Sequence, residues 1–348
     1  MNFQSTSMDL GLTHFSVHSK KNNFSTNNFK YPKMMETKRD FLKKLSLLTV
    51  GGIAAASTVS ASRATSPTTS AKKVIGLQIY SLGKELTDNV PGGMKKIKEI
   101  GYSNLELAGY SNRKMGQYEV SEYRKIVDES GLKITSSHVN PTERKYTKDN
   151  IAGIAEFWKK AAEDHVKLGV KYLVQPGLPN IETHDDAKLV CEVYNSAGEI
   201  AKAAGIKWGY HNHNMEFKRI MSDAEKAQAP SRNDFFRPKG DILYDLLLTG
   251  TDPNLVFFEM DVYWTVMGQA DPLDYFEKYP TRVPLLHIKD RLVLGQSGMM
   301  NFENIFNKAY ANTLSEYYVE IEKVKEGMTQ FEGVKGCFDY LNNAPFVK

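Results

Sequence analysis

From Val74 onward one pattern recurs: an amphipathic stretch of helical period, a glycine, then a short apolar run. Ile97-Lys98-Glu99-Ile100-Gly101 leads to residues 104–107, and Val127-Asp128-Glu129-Ser130-Gly131 to residues 132–135. In the same way Val166-Lys167-Leu168-Gly169 leads to residues 170–174, and Ala203-Ala204-Gly205 to residues 206–210. Glycine is the expected helix stop, because it adopts the left-handed conformation there without strain. Successive stops are 30, 38 and 36 residues apart, the length of a strand–helix unit. Between the third and fourth stops, Ala187, Val190, Cys191, Tyr194, Ala197 and Ala201 fall at three- and four-residue steps and predict one buried helix face. Asp271-Pro272 and Asn301-Phe302 read as the caps of two later helices.

Counting residues 74–80 as the first, eight strand candidates alternate with eight helical patterns, ending with apolar runs at 256–258, 284–288 and 317–321. Eight such units predict a single α/β domain, a (β/α)₈ barrel over residues 74–348. A doubly wound open sheet is the alternative. It fits less well, because the turn Tyr80-Ser81-Leu82-Gly83-Lys84 lacks a phosphate-cradling glycine motif.

A barrel of this kind carries its chemistry at the C-terminal ends of its strands. The residues there are Gln78, Glu106, His138, Gln175, then His211-Asn212-His213 with Glu216, Glu259 and Asp261, His287 with Lys289 and Asp290, and Glu320 with Glu322. Four of the six histidines beyond residue 61, namely His138, His211, His213 and His287, stand at strand ends. Imidazole and carboxylate together are the ligand set of Mn, Co, Zn, Fe or Mg. His211, Asp261, His287 and Glu320, or the same set with His213, supply four ligands from four successive strands. His211 and His213 share strand parity, so both can face the barrel mouth. His165 and His184 lie in or beside helices and are expected at the surface.

Charge narrows the partners. The formal net charge is +4, but the first 61 residues hold eight basic and three acidic side chains, leaving 37 and 38 in the rest. A near-neutral domain lacks the basic footprint of a nucleic-acid binder. Both cysteines, Cys191 and Cys337, fall in helical patterns and are expected as buried thiols rather than a disulfide. Residues 1–61 read as an N-terminal extension and export signal: basic Lys38-Arg39 and Lys43-Lys44, a short apolar run at 45–56, and small residues at 59–61. The run Lys38-Arg39-Asp40-Phe41-Leu42-Lys43 resembles a twin-arginine signal with Lys38 for the first Arg, which predicts periplasmic export through that machinery. An uncleaved membrane anchor is the competing reading, although the apolar run is short for a bilayer. Residues 62–73 read as a Ser/Thr linker.

At Gly76-Leu77-Gln78-Ile79-Tyr80-Ser81, Tyr210-His211-Asn212-His213 with Glu216-Phe217, Asp261-Val262-Tyr263-Trp264, Leu286-His287-Ile288-Lys289-Asp290 and Val319-Glu320, the chain resembles the sugar phosphate isomerase/epimerase family, the xylose isomerase-like TIM barrels. The resemblance spans residues 74–341. It implies a divalent metal held by strands five to eight. In the family's epimerases the ligands are Glu, Asp, His and Glu, and the two glutamates also shuttle protons. Asp261, His287 and Glu320 match; His211 or His213 stands where the first Glu would be, with His211 favoured by position.

The chemistry implied is proton abstraction beside a carbonyl through a metal-stabilised enediolate. Glu320 and His213 are the expected proton carriers, and Lys289 would steady the developing oxyanion. Glu106, His138 and Glu216 would hold sugar hydroxyls, and Trp264 would stack on a sugar face. An exported enzyme is expected to meet a non-phosphorylated sugar or glycoside. The alternatives are a lyase that eliminates a substituent from a keto-sugar or keto-glycoside, a metal-dependent hydrolase resembling endonuclease IV, and a non-catalytic sugar-binding barrel. Expected partners are the sugar or glycoside, the export machinery and further copies of the chain in a homo-oligomer.

Overall fold

The computed structural model describes residues 72–228, 230–231, 233–234 and 238–348. The stretch read as an export signal, and the expected linker as far as residue 71, lie outside the described residues. Among the described residues no helix is long and apolar enough to cross a membrane.

Eight parallel strands close into a barrel in chain order, which settles the choice against an open sheet. They are β1 (Gly76–Gln78), β2 (Asn104–Leu107), β3 (Lys133–His138), β4 (Tyr172–Gln175), β5 (Lys207–His211), β6 (Val256–Asp261), β7 (Leu285–Ile288) and β8 (Glu316–Val319). The principal helices outside them are α1 (Val90–Ile100), α2 (Val120–Glu129), α3 (Ile151–Leu168), α4 (His184–Ala203), α5 (Leu243–Gly250), α6 (Pro272–Lys278), α7 (Phe302–Ala311) and α8 (Gln330–Asn343). At the N-terminal edge, Lys73 donates to the carbonyls of Leu341, Asn342 and Ala344, tying the start of the barrel to the end of α8.

The glycine stops behave as expected. Gly101, Gly131, Gly169 and Gly205 all have positive φ. Asp271 accepts from the Leu273 amide and Asn301 from the Asn304 amide, so both expected caps form. The predicted face of α4 is buried throughout. Cys191 and Cys337 are buried free thiols.

Inside the barrel, below the mouth, Tyr172, Val174, Phe257, Leu285 and Tyr318 pack together. Gly76 and Gly209 make room for them: a Cβ at Gly76 would lie 2.5 Å from the Tyr318 ring, and one at Gly209 would meet the Phe257 ring. This apolar plug forms a floor, so the polar side chains two residues further along from Phe257, Leu285 and Tyr318, namely Glu259, His287 and Glu320, are held in a layer at the mouth.

Three features depart from the sequence expectation. A three-stranded antiparallel hairpin (Tyr110–Ser111, Lys114–Met115, Tyr118–Glu119) rises between β2 and α2. A second excursion follows β5, where Arg219–Ile220 pairs with Asp241–Ile242. His165, expected at the surface, is fully buried. It shares the inner face of α3 with Ala161, Ala162 and Leu168, and its imidazole reaches the Ala161 carbonyl at 2.7 Å and the Ser137 hydroxyl at 2.9 Å. Two satisfied ring nitrogens remove the usual cost of burying a polar group. His184, by contrast, is on the surface beside Asp241.

Candidate metal and active site

Strand register brings the polar layer together. Glu259 pairs with His211 across β5 and β6, and Asp261 with His287 across β6 and β7. Glu320 stands one residue beyond β8; its amide donates to the Ile288 carbonyl, and the Ser81 hydroxyl accepts from the next amide. One ligand atom from each of His211, Asp261, His287 and Glu320 lies within 4.8 Å of the others, and all four residues are buried. These four converge as the strand-end reading anticipated. His213 is not in the cluster; it lies above His211, ring centroids 5.0 Å apart, and faces the cleft.

The cluster has the character of a cation site. Asp261 spends Oδ1 on the Trp264 amide at 2.8 Å, capping the short helix Val262–Met267, and leaves the buried Oδ2 without a partner. His211 Nδ1 lies 3.2 Å from Glu259 Oε2 but without hydrogen-bond alignment, so it too is unpartnered. Buried polar atoms left open are uncommon and costly. Two imidazoles and two carboxylates converging with open atoms fit a divalent cation.

Charge points the same way. Burial pushes the Asp261 carboxyl up to about 6, against the pull of Lys289 and His287. Burial also opposes ionisation of Glu320, but His287 and Lys289 outweigh it and hold that carboxyl well below the usual range. For His287, burial disfavours the charged form, yet Glu259 and Glu106 prevail and raise it well above its ordinary value. Burial lowers both His211 and His213, the latter to about 4.

Lys289 is buried and bridges Glu322 at 2.5 Å and Glu320 at 3.2 Å, with Asp261 at 3.8 Å. Its ammonium lies 5.0 Å over the Trp264 ring. Asp290 turns away and accepts from the Arg291 and Gly295 amides.

A cavity of about 350 Å³ opens above the cluster, bordered by Tyr80, His138, His211, His213, Glu320 and Glu322. His138 is the expected sugar contact that faces it. Two others do not. Glu106 is fully buried beneath His287, where it accepts from Gln78 at 2.8 Å and Ser136 at 2.7 Å and meets His287 Nε2 at 2.5 Å. Glu216, in a turn after β5, points into the barrel wall and accepts from the Tyr210 hydroxyl at 2.5 Å. Glu106 is withheld because both its oxygens are committed beneath the cleft, whereas Glu216 spends only Oε1 on Tyr210, leaves the buried Oε2 without a partner, and lines the groove that adjoins the cleft at His213.

Sequence reasoning passed over Glu259 as a site residue. Its Oε2 lies 2.8 Å from His138, 3.2 Å from His211 and 3.3 Å from His287. Glu259, His138, His211 and His287 form a second convergent group below the first. The available signal was parity: Glu259 is two residues from Asp261 on one strand and must face the same way.

Comparison with known proteins agrees with this architecture. Residues 94–332 match the family model described as a xylose isomerase-like TIM barrel. A crystal structure of a sugar phosphate isomerase/epimerase from Parabacteroides distasonis is 51% identical, covers 79% of this chain and all of its own, and superposes with a TM-score of 0.74. A second from the same organism is 50% identical over 81% of this chain and 97% of its own, with a TM-score of 0.75. The D-psicose 3-epimerase of Clostridium cellulolyticum is 14% identical over 79% of this chain and 99% of its own; its TM-score of 0.58 speaks for the fold alone. No curated protein sequence matches the chain. With the family model covering most of its length and two structures half identical to it, the chain belongs to the xylose isomerase-like TIM barrel family.

Proposed function

We propose that the chain is a divalent-metal-dependent isomerase or epimerase of a non-phosphorylated sugar. The observation that carries this reading is the convergence of His211, Asp261, His287 and Glu320 around open, buried donor atoms at the barrel mouth. The two Parabacteroides structures, described as sugar phosphate isomerase/epimerase, support the reaction class. For a non-phosphorylated substrate speaks the lining of the cavity directly above the cluster, which Glu320 and Glu322 border and no Arg or Lys does; Arg144 and Lys218 line only the groove beside it. Export rests on the N-terminal signal and is part of the same proposal.

A divalent cation held by the four side chains would act as a Lewis acid toward a carbonyl and its neighbouring hydroxyl. The remaining chemistry belongs to the chain. His213 faces the cleft, and burial keeps its imidazole neutral near pH 7, so it can accept a proton from a carbon beside the carbonyl. The C–H electron pair becomes a C=C bond as the carbonyl pair moves onto oxygen. Lys289 keeps its charge because Asp261, Glu320 and Glu322 outweigh burial, and that charge favours the developing oxyanion. Glu320 is the second proton carrier. Return of the proton to the same carbon on the other face epimerises; return to the neighbouring carbon isomerises. His138, at the border of the cleft, orients the sugar.

The test is to load the full chain with Mn, Co, Zn, Fe or Mg, measure bound metal, and incubate it with sugars, keto-sugars and glycosides in deuterated water. Deuterium uptake beside the carbonyl without loss of a substituent is expected. Release of an aglycone would assign elimination instead, and sugar binding with no tight metal and no exchange would make the barrel a binder.

A further inference from the structure

Beside the sugar cleft lies a larger cavity of about 500 Å³, and the two share Tyr80, Ala108 and Gly109 as a common border. Its far walls are Leu86, Met115 and Tyr118, and no charged side chain lines it. The cluster of acids and histidines is confined to the cleft. At the junction stands Tyr80, a large aromatic that is 59% exposed among the described residues.

The outer wall is the three-stranded hairpin, and it is fixed in place. Asn112 and Arg113 both have positive φ, the two-residue turn that suits hairpin twist but strains an arginine. Arg113 is held by Asp164 on α3, with both contacts at 2.8 Å, and the Tyr110 hydroxyl meets the same carboxylate at 2.8 Å. Asp164 is buried. A wall pinned by a bidentate ion pair keeps an apolar recess open rather than letting it collapse, which is what a preformed ligand pocket requires.

We propose that this recess is an aglycone subsite, so that the substrate is a glycoside whose apolar or aromatic aglycone lies against Tyr80, Met115 and Tyr118 while its sugar ring occupies the acidic cleft. The argument is continuity and chemistry: a single ligand crossing the Tyr80 border passes from polar to apolar surroundings, as a glycoside does along its own length. The proposal rests on the cleft being a sugar site but not on turnover.

The experiment is calorimetric titration of the metal-loaded full chain with phenyl and methyl glycosides of D-glucose, D-galactose and D-xylose. At least one phenyl glycoside is expected to bind tenfold or more tightly than its methyl partner. Thr87→Trp and Gln117→Trp, at exposed positions on the recess rim, should each fill the pocket and erase that preference while leaving binding of the methyl glycoside unchanged. Phenyl and methyl partners within twofold of each other for all three sugars would overturn the proposal. So would a phenyl preference that survives in both variants. A preference erased by the variants, with no deuterium exchange in any metal-loaded form, would sink the isomerase reading and leave the subsite standing.

Discussion

Glu106 on β2 reaches across the barrel to His287 on β7, its Oε2 lying 2.5 Å from the imidazole Nε2. That contact points Nδ1 of the same ring toward Glu320, 3.0 Å away, and so toward the converging donor atoms. A carboxylate behind a histidine in this way fixes ring orientation and tautomer and strengthens the ligand. Glu106 is itself held by Gln78 and Ser136, one side chain from each neighbouring strand. The cation site therefore has a built underside made of β1, β2 and β3, although its four ligands come from β5, β6, β7 and the residue after β8.

Glu106→Gln keeps the volume and removes the charge behind His287. Metal affinity is expected to fall by about 10- to 100-fold, the usual cost of losing such an outer partner. Competition titration against a chelating dye reads the change, and circular dichroism should show the barrel intact. Unchanged affinity would remove Glu106 from the design of the site.

Metal removal is expected to loosen the fold. Asp261 and Glu320 are buried carboxylates near one another, and a cation offsets both their repulsion and their desolvation. Chelation should lower Tm by about 2–4 °C for each kcal/mol of binding free energy lost. In Asp261→Asn the same treatment should produce a much smaller drop. Scanning calorimetry of both proteins with and without chelator decides it, and an equal drop in each would disconnect Asp261 from the metal.

How much of this was legible in the sequence follows from the physics of each element. The barrel was, because parallel strands buried on both faces read as short apolar runs and the four helices before β2, β3, β4 and β5 stop at Gly101, Gly131, Gly169 and Gly205. His211, Asp261, His287 and Glu320 were, because polar side chains at successive strand ends have no role in an apolar floor. The hairpin was not: its strands are two residues long, too short to show a period. His165 was not, because its type masked its position; the face that carries Ala161 and Leu168 at helical spacing includes it. Glu216 misled by proximity in sequence, since the turn after β5 reverses it toward Tyr210.

Lys289 is a buried ammonium in this acidic layer, beside Glu320, Glu322 and Asp261. Lys289→Met would leave Glu320 without its ammonium partner and cost about 3 kcal/mol, the low end for breaking a buried pair. With metal content matched, kcat should fall while KM changes little, because the ammonium serves the charge that develops on oxygen rather than the ground state. Denaturant titration and steady-state kinetics measure the two effects separately. A loss confined to KM would make Lys289 a substrate contact.

His165 gives the barrel an acid sensitivity away from the metal ligands. A carbonyl only accepts, so Nδ1 carries the proton donated to Ala161, and Nε2 is left to accept from the Ser137 hydroxyl. The neutral ring is thus fully satisfied, and burial lowers its pKa from 6.5 to about 4. Above pH 6.5 the ring is neutral folded or unfolded and stability is at its full value. Between 6.5 and about 4 the unfolded chain binds a proton that the folded chain refuses, so stability declines as pH falls, by up to about 3 kcal/mol for this group. His165→Gln replaces the imidazole with an amide that does not titrate. The other buried histidines contribute equally to both proteins, so the difference between their stability–pH curves isolates His165. Urea titrations at pH 7, 6, 5 and 4.5 should show the gap between wild type and His165→Gln narrowing steadily toward acid. Parallel curves over that range would mean that the ring titrates in the fold as it does in the unfolded chain, and burial would not be what keeps it neutral.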